Sequence, residues 1–329
     1  MKPLTIGVAI ITYNGLKFLP EQLDSILAQS RQVDHIVVSD DRSTDGTWEF
    51  LQRWSQSAPV RVTLIRNDEQ LGLGANFEQS VAAVEADIIF TSDQDDVWVP
   101  DRVARLAQVF EQQPAVMLVH TDATLVDAQG ADLGTTLLGE LQLSSAERAA
   151  IHAGNAFQVY CRRNVVTGAT VAIRRGLLDM ARPFPRTVYH DAWLARLAAA
   201  AGEVRLLETP TIHYRQHGNN LVGVKKLSAW MKFRHVIWQL RGPAELSLTI
   251  SKNHASHQAL YERLLAHPGI SPQALAFASQ STNFYSGRAG LPQQAIRRLG
   301  TVLKHILAGQ YGKFSYAPRT DMIRDILKK

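Results

Sequence analysis

Short apolar runs alternate with stretches of helical spacing over the first 125 residues. Five of these runs predict β-strands, at residues 6–12, 36–39, 60–66, 87–92 and 116–121. Between them, apolar residues recur every three or four positions, which predicts helices over residues 20–29, 47–54, 75–86 and 100–112. Strands separated by helices of this size are typical of βαβ units, so we expect an α/β fold with a mostly parallel central sheet. The near-continuous apolar character of the strands indicates that helices cover both faces.

The pattern changes in the second half of the chain. Short strands are predicted over residues 204–207 and 211–214, and an Ala-rich helix is predicted over residues 191–201. From about residue 225 the spacing is helical, without strand alternation, and prolines interrupt it. We therefore predict two domains, an α/β domain over residues 1–222 and a mainly helical region over residues 223–329.

Composition excludes several classes of protein. Of the 329 residues, 46% are hydrophobic and 20% are charged, which rules out a disordered chain. The single cysteine, Cys161, excludes a disulfide framework and a multi-cysteine zinc site, and it favours a reducing compartment such as the cytoplasm. No apolar run approaches the ~20 residues that span a bilayer. The apolar stretch near the start predicts a strand rather than a signal peptide, because no small-residue cleavage site follows it.

Charge is distributed unevenly along the chain. Residues 221–329 hold 16 Lys and Arg against four acids, a net charge of +12, whereas residues 1–220 hold 19 basic and 26 acidic residues. Aromatic side chains accompany the basic residues, among them Trp230, Phe233, Trp238, Phe277, Phe284, Tyr285, Tyr311, Phe314 and Tyr316. Basic residues interleaved with aromatic ones suit an anionic membrane surface or, less specifically, nucleic acid. A solvated basic face over an aromatic core gives the same pattern, so both interpretations stay open.

Polar side chains follow each of the first four predicted strands. They are Thr12-Tyr13-Asn14, Asp40-Asp41, Arg66-Asn67-Asp68 and Ser92-Asp93-Gln94-Asp95-Asp96. Because ligands bind beyond the carboxyl ends of the strands in an open α/β sheet, we expect these side chains to meet in one crevice. Clustered carboxylates repel one another unless a cation compensates, and Asp-X-Asp after a strand suits Mg²⁺ or Mn²⁺. Acidic turns also arise as Asx-turns and helix N-caps, which is how we interpret Asp45.

Other motifs for nucleotide binding or hydrolysis are absent from the sequence. The chain has no G-x-x-x-x-G-K-[ST] phosphate loop, no G-x-S-x-G elbow and no H-E-x-x-H pair. Gly72-Leu73-Gly74 begins like a dinucleotide fingerprint, but the third glycine is missing and the motif follows the third strand rather than the first.

Three motifs in combination resemble those of family 2 glycosyltransferases. They lie at residues 8–14, 38–47 and 92–98, and the resemblance covers roughly residues 5–222. It implies a GT-A type nucleotide-diphospho-sugar-binding fold and a transfer reaction that inverts the anomeric centre. The motif at residues 92–98, together with residues 214–220, is most similar to the rhamnosyltransferase-like branch.

The resemblance also implies roles for individual residues. Asp191 would be the general base, with His190 beside it where many members carry an acid. Asp95 would coordinate a divalent metal, Mg²⁺ or Mn²⁺, with Asp93 as a further ligand against the ribose and diphosphate and Asp96 as a helper. The residues expected at the donor are Thr12, Tyr13, Asn14, Asp41, Asn67, Asn76, Asp93, Gly168, Arg215 and His217. Among the alternatives, Asp191 fits a helix N-cap and Gly168 fits a simple tight turn. We interpret Arg215 and His217 as parts of a polar loop that closes over the diphosphate, and His217 is also a candidate metal ligand.

We therefore predict an inverting, metal-dependent glycosyltransferase. The favoured donor is dTDP-rhamnose, and the favoured acceptor is a saccharide or lipid-linked saccharide in surface polysaccharide synthesis. The basic region 223–329 would hold the enzyme peripherally at the inner face of the cytoplasmic membrane. Three alternatives remain: a sugar nucleotidyltransferase, a non-catalytic nucleotide-sugar-binding protein, and nucleic-acid binding by the basic region.

Overall fold

The computed structural model describes residues 3–217 and 243–327. The chain divides into two compact units, Met1–Ala156 with Val165–Gly223 and Phe157–Asn164 with Val224–Lys329. The predicted domain boundary at residue 222 lies outside the described residues, as do residues 218–220 of the polar loop and Trp230, Phe233 and Trp238.

Nine strands form the sheet in the described part of the first unit. They are β1 (Ile6–Thr12), β2 (His35–Asp40), β3 (Arg61–Arg66), β4 (Ile88–Ser92), β5 (Val97–Trp98), β6 (Val116–Val126), β7 (Asp132–Thr136), β8 (Val171–Arg174) and β9 (Glu203–Arg215). Their order is β3-β2-β1-β4-β8-β6-β9-β5, with β7 paired to β6. Every residue of β1, β2 and β4 is buried, as their apolar character predicts.

The sheet is parallel on one side and mixed on the other. Strands β3, β2, β1 and β4 pair in parallel, and β6 pairs in parallel with β9. Strand β8 runs antiparallel to both β4 and β6, while β5 and β7 are antiparallel to β9 and β6. The expectation of a mostly parallel sheet therefore holds for β3, β2, β1 and β4 and for the β6–β9 pair, but not for β5, β7 and β8. Strands β5, β7 and β8 have five residues or fewer, which is too short for an alternation pattern to stand out.

The two late strands predicted from the sequence form one continuous strand, β9. Its pairing with β6 is interrupted between Leu207, which lies opposite Thr121, and Pro210, which lies opposite Asp122. Proline lacks the N–H that a sheet ladder needs, so the strand bulges at this point and continues. The sequence shows the same interruption as a gap between two strands.

Helices pack against the sheet through apolar faces. In the first unit they are α1 (Leu19–Leu27), α2 (Thr47–Ser57), α3 (Leu73–Ala83), α4 (Arg102–Gln112), α5 (Leu137–Glu140), α6 (Ser145–His152), α8 (Leu177–Ala181) and α9 (His190–Ala201), and helix α7 (Ala156–Arg162) runs into the second unit. Helix α4, for example, buries Val103, Leu106, Ala107 and Phe110. Burial of one such large side chain stabilises a fold by about 1.5–3 kcal/mol.

Strand directions bring several chain segments to one edge of the sheet. Since β8 is antiparallel to β4, the start of β8 lies beside the carboxyl end of β4. Since β6 is antiparallel to β8 and parallel to β9, the carboxyl end of β9 lies at that same edge. The ends of β1, β2, β4 and β9 and the turn Gly168–Thr170 before β8 therefore share one border of the sheet.

The second unit is helical throughout the part that is described. Its helices are α10 (Pro243–Leu265), α11 (Pro272–Ala289), α12 (Ala295–Leu307), α13 (Gln310–Phe314) and α14 (Pro318–Leu327). Five of the aromatic residues noted above are buried in it, which agrees with the aromatic-core interpretation for Phe277, Phe284, Tyr285, Tyr311 and Phe314. Across the described ranges of both units, no helix is long and apolar enough to cross a bilayer.

Candidate functional site

The loop between β4 and β5 brings three carboxylates together. One oxygen from each of Asp93, Asp95 and Asp96 lies within 4.8 Å of the other two. Asp96 is buried, and its Oδ1 accepts a hydrogen bond from the Arg215 backbone N–H at 3.0 Å. Its Oδ2 is also buried and has no hydrogen-bond partner within the described parts of the chain. A buried, unpaired carboxylate oxygen beside two further acids is costly, and a bound cation would relieve that cost. This acidic loop, residues 93–96, therefore fits a hard divalent cation.

Burial raises the pKa of all three carboxyl groups, and repulsion from neighbouring acids adds to the rise for Asp93 and Asp96. Burial, followed by the charges of Asp95 and Asp191, raises the pKa of Asp93 to about 7. Burial and the other two acids raise the pKa of Asp96 well above its ordinary value. Burial raises the pKa of Asp95 as well, although the hydrogen bond and charge of His217 oppose the rise. Protons and a metal ion therefore compete for the same oxygens.

This competition gives a pH-dependent prediction. The raised pKa of Asp93 means that its protonated carboxyl group stabilises the metal-free fold at low pH, and this contribution is lost as the pH rises through about 7. A divalent cation replaces the protons, and we expect MgCl₂ or MnCl₂ to raise the unfolding temperature more at pH 8 than at pH 6. Thermal unfolding of the protein with and without each salt at both pH values measures the effect. An equal rise at the two pH values would contradict the assignment of the carboxylates as ligands.

Arg215, at the end of β9, is held by protein groups around the acidic loop. Its Nε donates to the Asp95 carbonyl oxygen at 2.8 Å, its Nη1 to the Ala128 carbonyl oxygen at 3.1 Å, and its Nη2 to the Glu21 carboxylate at 2.6 Å. The side chain is 3% exposed. The sequence predicts direct contact between Arg215 and the donor diphosphate. Three protein acceptors hold the guanidinium beside the acidic loop, and its contact with the donor stays a prediction.

His217 lies directly beside the acidic loop. Its Nε2 is 2.9 Å from Asp95 Oδ2, and its ring stacks on Phe18 with the centroids 4.8 Å apart. The Arg215 guanidinium lies 4.9 Å from the centre of the same phenylalanine ring. Phe18 was not predicted as a site residue, because this phenylalanine precedes α1 and belongs to no motif. Its contacts depend on the return of β9 to this edge of the sheet.

Gln94 ties the end of β1 to the acidic loop. Its Oε1 accepts hydrogen bonds from the Thr12 hydroxyl at 2.7 Å and from the Tyr13 N–H at 2.9 Å, and its Nε2 donates to the Tyr13 carbonyl at 3.2 Å. A Cβ at Gly15 would lie 2.1 Å from Gln94 Oε1, so only glycine allows this close approach. The sequence motif contains Gln94, yet its spacing alone gave the residue no role. The Tyr13 side chain is 47% exposed at this edge.

Asn14 shapes the turn that follows β1. Its backbone lies in the left-handed region with φ of 50°. Its N–H donates to the Ser43 hydroxyl at 2.8 Å, and its side-chain oxygen accepts from the Thr44 N–H at 2.8 Å. Asn14 thus joins the turn after β1 to the loop after β2. Asp45 accepts hydrogen bonds from the backbone N–H groups of Leu16 and Thr47, which agrees with its interpretation as a turn residue.

A buried polar network contains three of the residues expected at the donor. The Asp41 carboxylate accepts hydrogen bonds from Asn67 Nδ2 at 2.8 Å and from the backbone N–H groups of Leu71 at 2.8 Å and Gly72 at 2.9 Å. Asn67 Nδ2 also lies 3.0 Å from Asn76 Oδ1. A carboxylate offers about four acceptor positions, so Asp41 retains capacity for a further donor group. The network fixes the loop between β3 and α3.

Asp191 occupies the first turn of α9. Tyr189 holds the N-cap position of that helix, so the N-cap alternative for Asp191 is wrong. The Asp191 Oδ1 accepts a hydrogen bond from the Ala192 N–H at 2.6 Å. Its charge contributes to the raised pKa of Asp93, so the two carboxylates are within electrostatic range of each other. Asp191 therefore lies near the acidic loop, although about 100 residues separate them in the sequence.

His190 packs between two elements of the site. Its ring stacks on Phe77 with the centroids 3.7 Å apart, and burial lowers its pKa, so the imidazole is neutral near pH 7. On its other side, a Cβ at Gly168 would lie 2.6 Å from His190 Nε2. The Gly168 carbonyl in turn accepts a hydrogen bond from the Thr91 hydroxyl. Gly168 is required by this close approach, while its role toward a donor stays a prediction.

Replacement of Gly168 by Ala tests the approach of His190. We expect Gly168→Ala to lower the free energy of unfolding by about 1–3 kcal/mol, because the added methyl group forces the buried imidazole to move. Gly176→Ala is the matched control, since a Cβ at Gly176 meets no atom within 4 Å. Chemical denaturation of both variants measures the difference. Equal stability of Gly168→Ala and the wild type would contradict the packing described.

Comparisons with known proteins agree with the fold and the motifs. The profile described as "Glycosyl transferase family 2" matches residues 7–178. An uncharacterized glycosyltransferase of Nostoc sp. is 27% identical over 229 residues, which cover 66% of each chain. The dTDP-rhamnosyl transferase RfbG of Shigella flexneri is 35% identical over 96 residues, covering 28% of this chain and 33% of RfbG. The chain thus spans about two thirds or less of the length of these relatives.

A solved structure extends the comparison of the fold. The structure of S. aureus TarS 1-349 in complex with UDP-GlcNAc superimposes with a TM-score of 0.58 at 14% identity, covering 98% of this chain and 89% of that chain. At this level of identity the likeness concerns the fold alone. It confirms the expectation of a GT-A type α/β fold.

Proposed function

The chain belongs to glycosyl transferase family 2, and from this premise we propose that it transfers a sugar from a nucleotide-diphospho-sugar to an acceptor hydroxyl with inversion at the anomeric carbon. The observation that carries the proposal is the cluster of Asp93, Asp95 and Asp96, with Asp191 within electrostatic range of Asp93. The acidic loop would hold a divalent cation, Mg²⁺ or Mn²⁺, whose charge stabilises the departing diphosphate.

Asp191 is the proposed general base. It lies in the first turn of α9, at the positive end of the helix dipole. The carboxylate would accept the proton of the acceptor hydroxyl as the oxygen attacks the anomeric carbon. Attack from the face opposite the leaving diphosphate inverts the configuration. The neutral His190, fixed between Phe77 and Gly168, would hold the start of α9 in position.

The remaining residues are assigned to donor binding and support. Tyr13, which is half exposed, and Asp41, which keeps an acceptor position, would contact the base and ribose. Thr12 and Asn14 would shape the end of β1 against them. A second group would act by fixing loops around the donor, and its members are Asn67, Asn76, Gly168, Arg215 and His217.

We propose dTDP-rhamnose as the donor and a saccharide or lipid-linked saccharide of a surface polysaccharide as the acceptor. Similarity to the dTDP-rhamnosyl transferase RfbG supports this donor. A lipid-linked acceptor would place the enzyme in the cytoplasm, peripherally at the inner face of the membrane.

A donor panel tests the proposed reaction. The protein is incubated with dTDP-, UDP- and GDP-sugars, a saccharide acceptor and Mg²⁺ or Mn²⁺, and the released nucleoside diphosphate is measured. We expect release of dTDP from dTDP-rhamnose. Faster release of UDP or GDP would overturn the rhamnosyl assignment and preserve the transferase. Release of pyrophosphate instead would indicate a nucleotidyltransferase, and binding without any release would indicate a non-catalytic binding protein.

A further inference from the structure

We propose that the second unit binds anionic lipid through one face of helix α12. Four aliphatic side chains recur along this helix at spacings of three and four residues. They are Ile296, Leu299, Leu303 and Leu307, with exposed fractions of 88%, 44%, 46% and 87%. Residues at such spacings lie on one side of an α-helix, so the four form a continuous stripe, which we call the α12 stripe.

The α12 stripe is not the face by which the helix packs into its own unit. That face carries Arg298 and Val302, both buried. At 100° per residue these two lie about 105° to 145° around the helix from the centre of the stripe. Arg298 fixes the inner face, since its Nη1 donates to the Gln293 carbonyl at 2.7 Å and its Nε to the Ile326 carbonyl at 3.1 Å. An amphipathic helix normally turns its apolar side chains inward, so an apolar stripe that faces solvent indicates a binding surface.

The charges around the α12 stripe select an anionic partner. Helix α12 contains no acidic residue, and its Arg297 and Lys304 are both exposed. The acids of the neighbouring α14, Asp321 and Asp325, form ion pairs with the buried Arg288 at 3.2 Å and 2.6 Å. These acids are therefore engaged inside the unit, away from the exposed cations.

An anionic membrane surface matches both the aliphatic α12 stripe and the exposed cations of the same helix. Aliphatic side chains enter the boundary between headgroups and acyl chains, while flanking cations meet the lipid phosphates. Nucleic acid would match the cations but not an aliphatic stripe. A second copy of the chain would bring Arg297 and Lys304 close to their own counterparts across a two-fold interface, where like charges repel. The lipid-binding role of the α12 stripe rests on the proposed function, which places the enzyme peripherally at the membrane.

Vesicle flotation tests this surface directly. The full-length protein is mixed with phosphatidylcholine vesicles, with or without phosphatidylglycerol, and the fraction that floats is measured. We expect wild-type protein to float with the anionic vesicles only, and to float less as NaCl is raised. The double variant Ile296→Ser/Leu307→Ser should bind at least tenfold more weakly, as should Arg297→Gln/Lys304→Gln. Leu265→Ser, at a leucine of α10 that is 56% exposed, is the matched control and should bind like the wild type.

Flotation and nucleoside diphosphate release test lipid binding and sugar transfer independently of each other. Release of nucleoside diphosphate with a soluble acceptor should be equal in the wild type and the Ile296→Ser/Leu307→Ser variant, because none of these residues belongs to the candidate site. Failure of the wild type to float with anionic vesicles would overturn the lipid surface, whatever the transfer assay shows. Equal flotation of both variants and the wild type would overturn it too. A wild-type dimer that the aliphatic variant dissociates, without vesicle binding, would assign the stripe to self-association instead.

Discussion

Asp191→Asn is expected to lower the turnover number of sugar transfer by about 10²–10⁴-fold, the range that a positioned general base contributes. The amide keeps the shape of the side chain and can still accept the hydrogen bond from the Ala192 N–H, but it does not take up the proton of the acceptor. The loss should appear in kcat, with little change in the affinity for the nucleotide. Initial rates of nucleoside diphosphate release at saturating donor and acceptor measure it.

Two controls distinguish loss of the general base from a general loss of activity or of donor binding. Asp179→Asn changes the same residue type in the first turn of another helix, α8, and should retain full activity. Nucleotide titration of Asp191→Asn should give the wild-type affinity, which shows that the donor site is intact. If Asp191→Asn keeps more than about a tenth of the wild-type turnover, the general base lies elsewhere and the proposed mechanism is wrong.

Asp95→Asn is expected to abolish the contribution of the divalent cation to nucleotide binding. The substitution removes one of three clustered carboxylates while an amide oxygen can still accept from His217. With a metal-bound diphosphate at ~100 times its dissociation constant, the wild type should be stabilised by about 2.7 kcal/mol. We expect most of that gain to vanish in the variant, as measured by denaturant unfolding with the nucleoside diphosphate and Mg²⁺ or Mn²⁺.

The metal-free stability of Asp95→Asn distinguishes loss of a ligand from loss of the fold. Because repulsion from Asp95 raises the pKa of Asp93 and Asp96, its neutralisation should leave the metal-free protein as stable as the wild type, or more stable, at pH 8. Asp68→Asn removes an exposed acid that follows β3 and is the matched control. Unchanged metal-dependent binding in Asp95→Asn would contradict the assignment of the acidic loop as the metal site.

The sequence predicts the centre of the site because that part follows from local pattern and topology. Strand β1 was predicted with its observed bounds, and β4 to within one residue, since both are mainly apolar and end at polar turns. The rule that ligands bind beyond the carboxyl ends of strands then brings the ends of β1, β2 and β4 together. The family profile match and the GT-A type fold confirm the resemblance that these motifs carry.

The supporting contacts follow from tertiary geometry, which a single sequence does not display. Arg215 was assigned to the donor because it is a cation on a polar loop, yet the return of β9 buries it against Asp95 and Glu21. The approach of Gly168 to His190 joins segments that are 22 residues apart and depends on how the turn before β8 meets the start of α9. No hydrophobic period and no motif in the sequence predicts either contact.

The central claim is that the acidic loop and the neighbouring strand ends hold a metal-bound nucleoside diphosphate. Its most direct test is thermal unfolding of the wild-type protein with dTDP, UDP, GDP and CDP, each with and without Mg²⁺ or Mn²⁺. We expect a rise in unfolding temperature that requires both a nucleotide and a cation and is largest with dTDP. No rise with any nucleotide, or a rise of equal size without the cation, would contradict it.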